Sequence, residues 1–112
     1  MDPVPTLVLV RDLIFSTKIS STAKSLGVPL TVVRDPSKLP DAPSASRLIV
    51  DLNLDAALPA AVAWKARTNG RVILFVSHVD TELIRAARAA GFDDVLPRCE
   101  FTRLLPELLT GA

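Results

Sequence analysis

Leu48-Ile49-Val50-Asp51-Leu52-Asn53-Leu54 decides how this chain is read. Three apolar residues run on without a polar interruption and then stop on an acid. A strand with one wet face alternates apolar with polar residues. A run without alternation fits a strand buried on both faces, the condition of a parallel sheet covered by helices. An acid ending such a strand stands at the carboxyl edge of the sheet, where open α/β sheets gather their functional groups.

The same signature recurs outward from this stretch. Arg71-Val72-Ile73-Leu74-Phe75-Val76 is the clearest strand of the chain, and Thr6-Leu7-Val8-Leu9-Val10 is of the same kind. Leu30 to Val33 form a short β-branched strand, and Val95-Leu96 lies in a fifth. Helical spacing fills the gaps. Phe15, Ile19, Ala23 and Leu26 share a helix face, which Gly27 closes as a C-terminal cap. Pro59 suits a first turn, so a helix is expected from Leu58 towards Thr68, closed by Asn69-Gly70. Asp80 caps the next helix, Glu82 suits its positive first turn, Leu83, Ala87 and Ala90 give its buried face, and Gly91 stops it. Phe101, Leu104, Leu105, Leu108 and Leu109 mark a last helix in which Pro106 predicts a kink or a split. Between Asp35 and Ser46, Pro36, Pro40 and Pro43 leave room for a loop or a single helical turn.

Five strands alternating with helices imply a three-layer α/β sandwich of the flavodoxin-like type, a five-stranded parallel sheet with right-handed crossovers and a reduced second helix. The 112 residues suffice for one domain, 1–112. A chain of that size buries roughly 65% of the surface its unfolded form exposes, and 49% hydrophobic residues supply the core.

Composition narrows the function. Thirteen Lys and Arg stand against 12 Asp and Glu, leaving a net charge of +1. A nucleic-acid or anionic-membrane surface calls for a massed basic field, and here the basic residues are scattered. Cys99 is the single cysteine, so neither an intrachain disulfide nor a cysteine-built metal site can form. Met1-Asp2-Pro3-Val4-Pro5 is unlike the start of a signal peptide, and no apolar run approaches the ~18 residues of a membrane span. A cytoplasmic protein is expected.

The topology brings Arg11, Asp12, Asp51, Ser77 and Arg98 to one edge of the sheet from distant parts of the sequence. At this point the chain resembles a family. Leu48 to Leu54 looks like the phosphoacceptor strand of response-regulator receiver domains (CheY-like), and Phe75-Val76-Ser77-His78 like their fourth strand, which ends in Thr or Ser. Ala89-Ala90-Gly91-Phe92-Asp93-Asp94-Val95-Leu96-Pro97-Arg98 is similar to the receiver segment that ends in lysine. The resemblance covers the whole chain in order. It implies phosphoryl transfer to Asp51, with Mg²⁺ held by Asp12, Asp51 and, weakly, the backbone carbonyl of Asn53. Ser77 matches the switch hydroxyl, and Arg98 stands at the lysine position facing the phosphoryl group.

Other positions depart from the pattern. Arg11 replaces the second metal-binding acid, and its charge would modify the site by pairing with Asp51 or Asp12 in place of Mg²⁺. The planar fork of Arg98 is not a compact ammonium. Val95 replaces the switch aromatic, and Cys99 replaces a proline. The resemblance therefore implies a divergent pseudo-receiver, a stand-alone signalling domain that acts through protein–protein docking, with a degraded phosphoacceptor site. Its partner would be a histidine kinase or a downstream effector, and a homodimer is also open to it; no nucleic-acid or membrane partner is expected. The alternative is a working Mg²⁺-dependent phosphoacceptor in a two-component phosphorelay. A small-anion or nucleotide binder comes third, because Gly27, Gly70, Gly91 and Gly111 build no glycine-rich phosphate loop. No nucleophile–base–orienter set suggests an enzyme.

Several residues have plain structural readings. His78 reads as a loop histidine beside the site, Cys99 as an inert small residue, and Trp64, with Lys65 and Arg67, as cover for the sheet. Arg85 and Arg88 read as a solvated helix face. In receivers the corresponding face, together with position Val95, contacts partners.

Overall fold

The computed structural model describes residues 4–77 and 80–111. The strands are β1 (Thr6–Leu9), β2 (Leu30–Val33), β3 (Arg47–Asp51), β4 (Arg71–Val76) and β5 (Val95–Pro97). The helices are α1 (Leu13–Leu26), α2 (Ala57–Thr68), α3 (Thr81–Ala89) and α4 (Arg98–Thr110). All strand pairs are parallel, in the order β2-β1-β3-β4-β5. The chain moves outward from β1 to β2, returns across β1 to β3, and then proceeds to β4 and β5. The reversal sets the ends of β1 and β3 side by side, and this is where open α/β sheets place their sites.

The unbroken apolar runs are buried on both faces. Leu7, Leu9, Leu48, Val50, Leu74 and Val76 face one layer, built by Ala57, Ala61 and Trp64 of α2 and Ala87 of α3. Val8, Val10, Ile49, Ile73 and Phe75 face the other, built by Ile19 and Ala23 of α1 and by Phe101, Leu105, Leu108 and Leu109 of α4. Successive strand residues point to opposite faces, so adjacent residues feed different cores.

Where a further helix would join β2 to β3, the chain makes a six-residue 3₁₀ segment, Pro36–Asp41. Asp35 caps it, accepting from the backbone N–H of Ser37 at 3.0 Å. Pro36 suits the first turn, while Pro40, lacking an N–H, discourages a longer helix. Leu39, 2% exposed, fills the core position that the short segment must cover. The reduced second helix was thus readable from the prolines.

Three details differ from expectation. Leu26 and Ala90 are exposed rather than buried, Leu26 as the last residue of α1 and Ala90 as the residue that caps α3. α4 runs from Arg98 to Thr110 without a split at Pro106. Pro106 lies on the exposed side, and Leu105, Leu108 and Leu109 anchor both sides of it to the same core. Val95, 4% exposed, is core rather than partner surface: it packs in the layer that contains Ala87.

Gly70 is required by close approach. A Cβ there would lie 2.5 Å from the Trp64 indole and 2.9 Å from the Ser46 carbonyl, both nearer than real Cβ contacts allow. The glycine lets the chain pass beneath Trp64, which is 3% exposed and covers the sheet as its sequence position suggests.

Candidate functional site

Each residue of the carboxyl edge is placed by an ordinary local device. Asp12 follows β1 and caps α1, accepting from the Phe15 backbone N–H at 3.1 Å. Asp51 is the last residue of β3, its side chain 10% exposed. One of its oxygens accepts from the Asn53 N–H at 3.0 Å. Arg98 begins α4, directly after β5.

These three residues meet. The Arg98 guanidinium lies 3.7 Å from an Asp12 oxygen and 3.8 Å from an Asp51 oxygen. Both separations exceed a hydrogen bond, so the contact is one of charge rather than a bidentate fork. The guanidinium is held from beneath by aromatics, its carbon 4.4 Å from the Phe15 ring centre and 5.7 Å from that of Phe75. Phe75 in turn stacks on buried Phe101 at 4.6 Å. A cation over such faces gains on the order of 1 kcal/mol.

Burial pushes the Asp51 carboxyl above its ordinary range, and the neighbouring Asp12 charge adds to the shift. The Asn53 N–H and Arg98 pull it back without cancelling it. Desolvation of the charged form is the dominant cause.

The resemblance implicates only the backbone of Asn53, but its side chain ties two loops together. Its Oδ1 accepts from the Ser77 N–H at 2.9 Å, and its Nδ2 lies 3.5 Å from an Asp80 oxygen. Asp80 also caps α3 through the Leu83 N–H at 3.2 Å. Ser77 is therefore joined to the site through Asn53, and its exposed residue stands at the same edge. The Phe15 platform was legible in principle, since Phe15 lies three residues after Asp12 and so one helical turn above it.

Arg11 corrects an expectation. It pairs with neither Asp12 nor Asp51. Its Nε donates to the Arg34 carbonyl at 3.4 Å, and Arg34 donates back to the Arg11 carbonyl at 2.9 Å. This reciprocal pair ties the ends of β1 and β2 and turns Arg11 away from the acids. The internal cation between Asp12 and Asp51 is Arg98. Arg85 and Arg88 lie exposed on α3, with Arg85 3.8 Å from Glu82. Cys99 is a free, exposed cysteine, and His78 lies outside the described residues.

Magnesium needs near-octahedral oxygen ligands at about 2.0–2.1 Å and gives up its waters reluctantly. Here two carboxylates share their space with a guanidinium, and the residue before Asp12 is Arg11 rather than a second acid. Among the described residues there is no group of three or more His, Cys, Asp or Glu that could hold a metal ion. Asp12 and Asp51 are the two carboxylates that face this space, and the Arg98 guanidinium stands within 3.8 Å of both.

Comparison with solved structures settles the architecture. A response regulator from Thermotoga maritima superposes with a TM-score of 0.73 at 16% identity, covering 92% of each chain. The phosphorylated cyanobacterial phytochrome response regulator RcpA gives 0.81 at 10% identity, over 98% of this chain and 96% of its own. A Francisella response-regulator receiver domain gives 0.74 at 20% identity, over 96% of both.

The chain has the receiver fold. No family model matches the sequence, and no curated protein matches it. Identities of 10–20% carry the fold and not the chemistry. No helix among the described residues is long and apolar enough to cross a membrane.

Proposed function

We propose that this receiver-fold chain is a non-catalytic signalling module that docks onto another protein without phosphoryl transfer at Asp51. The observation that carries this reading is the Arg98 guanidinium, within 3.8 Å of both Asp12 and Asp51. In-line transfer to Asp51 needs a free carboxylate oxygen facing the phosphorus and a second cation to offset the developing charge. Arg98 already neutralises that oxygen, which weakens it as a nucleophile. Its charge also opposes entry of a divalent ion.

The partner is a signalling protein, a histidine kinase or a downstream effector. The exposed Arg85 and Arg88 of α3 offer it a basic contact face. The test is the intact mass of the protein after incubation with acetyl phosphate and Mg²⁺, with Asp51→Asn as control. No added phosphoryl mass is expected.

The competing reading, a phosphoacceptor at Asp51, draws on the same long separations. Arg98 stands beyond hydrogen-bond distance of both acids, so its donors could turn onto phosphoryl oxygens. Stoichiometric, Asp51-dependent addition would establish that reading and overturn the docking one.

A further inference from the structure

We infer that Arg98 is a tethered counter-ion that replaces a divalent cation in this chain, so that the carboxyl edge is held in one arrangement whether or not such a cation is present. This deepens the docking reading and can fail separately from it. Mass addition by a phosphodonor tests the one, and the response to cations tests the other.

Four observations converge. The first is position: Arg98 lies 3.7 Å from Asp12 and 3.8 Å from Asp51, between the two acids. The second is anchorage. A hydrated ion exchanges with solvent, but Arg98 is covalently bound and sits 4.4 Å over Phe15, within a ring cluster completed by Phe75 and Phe101. None of those rings titrates or dissociates.

The third is orientation against the local rule. Arg98 is the first residue of α4, at the positive end of the helix macrodipole, where a cation is disfavoured. The helix gives no reason for a cation at that place, whereas two facing carboxylates do. The fourth is Arg11, which occupies the missing ligand's position and is turned onto the Arg34 carbonyl at 3.4 Å. Among the described residues no third His, Cys, Asp or Glu joins Asp12 and Asp51 to make up the donor that a divalent ion would lose.

The experiment measures thermal unfolding and Mn²⁺ titration of the full chain, with Mn²⁺ as probe because its paramagnetism reports proximity to Asp51 by NMR. The native protein should melt at the same temperature in EDTA and in excess Mg²⁺, with no broadening centred on Asp51. Arg98→Met keeps the apolar stem over Phe15 and removes the charge. It should melt lower, recover on Mn²⁺ addition, and bind Mn²⁺ on the order of tenfold more tightly than the native chain. Adding Asp51→Asn should abolish that recovery. Arg98→Lys, which keeps a charge, should remain insensitive.

Specific Mn²⁺ broadening at Asp51 in the native protein would overturn the assignment. So would an Arg98→Met chain that gains no Mn²⁺ binding, or an Arg98→Lys chain that gains as much as Arg98→Met. Should Arg98→Met fail to fold without cation, the same titration on Arg98→Gln decides between these outcomes.

Discussion

β3 carries a buried charge at each end, Arg47 at the amino edge of the sheet, 3% exposed, and Asp51 at the carboxyl edge, 7% exposed. Both reach the same helix. Arg47 donates to the Leu109 carbonyl and, at 2.8 Å, to the Gly111 carbonyl, at the end of α4. Asp51 faces Arg98, the first residue of α4. The two ends obey different rules. A cation at a helix C-terminus satisfies orphaned carbonyls and complements the macrodipole, so the charge of Arg47 agrees with the helix end it reaches. At the other end a cation sits on the positive pole and a desolvated carboxylate faces it. Local rules broken together in one place mark a functional site, and local rules kept mark structure.

That contrast makes the largest expected effect structural. Arg47→Met should destabilise the chain by about 3 kcal/mol, because it strips charged hydrogen bonds from the carbonyls of Leu109, in the last turn of α4, and of Gly111, which caps it. Urea unfolding measures it. The contrast breaks if the loss is under about 1 kcal/mol. That result would mean the buried cation is nearly balanced by its own desolvation, the force that lowers the Arg47 pKa, and by its Nε, which has no hydrogen-bond partner among the described residues.

The sequence disclosed the two ends unequally. Asp51 was legible because the whole segment from Leu48 to Leu54 resembles the receiver phosphoacceptor strand; taken alone, an acid closing a buried strand more often caps the next turn or pairs with an Arg, and Asp51 does both. Arg47 was not, because an Arg before a strand reads as an edge residue, and its partners lie 62 and 64 residues away in backbone carbonyls that carry no side-chain signature. The sheet, its crossovers and the short 3₁₀ segment followed from periodicity and prolines, which act locally. The split allowed for at Pro106 does not occur, for the opposite reason: tertiary burial of Leu105, Leu108 and Leu109 holds α4 continuous where local preference favours a break. The pairing with the acids was expected of Arg11 and belongs to Arg98, because adjacency to Asp12 in sequence says nothing about side-chain direction. The aromatic platform of Phe15 and Phe75, assembled from two elements, decides which arginine enters the site.

The carboxyl edge should respond to loss of its charge in the opposite sense. The native Asp51 pKa is raised above the ordinary 3.8. Between that value and the raised one the native state binds more protons than the unfolded chain, so stability falls as pH rises through the window. Asp51→Asn, which keeps an acceptor for the Asn53 N–H, should therefore stabilise the protein near neutral pH, by less than Arg47→Met destabilises it. The gain should vanish as pH falls below 3.8, where native Asp51 is also neutral. Unfolding curves of both chains across that range provide the measurement. A less stable Asp51→Asn at neutral pH would show that the Arg98 ion pair outweighs desolvation.

The smallest effect belongs to the loop that carries the chain from Asp51 into α2. Ala56 caps that helix at φ 65 and ψ 10, with no side-chain hydrogen bond to offer. The left-handed region costs an L-residue about 1–2 kcal/mol, and glycine occupies it without that cost. The conformation is imposed by its neighbours. Leu54 N–H donates to the Asp51 carbonyl at 3.2 Å, Ala57 N–H to the Leu54 carbonyl at 3.1 Å, and Ala60 N–H to the Ala56 carbonyl at 3.2 Å. Ala56→Gly should relieve the strain, losing part of the gain to the larger entropy of unfolded glycine, for a net stabilisation of about 0.5 kcal/mol. If the strain only joins β3 to α2, amide exchange at Ser77, whose N–H is held by Asn53, will be unchanged in the variant. If it instead stiffens the loop that presents Asn53, exchange at Ser77 will quicken although the protein is more stable, and backbone strain joins the misplaced charge as a feature of the carboxyl edge.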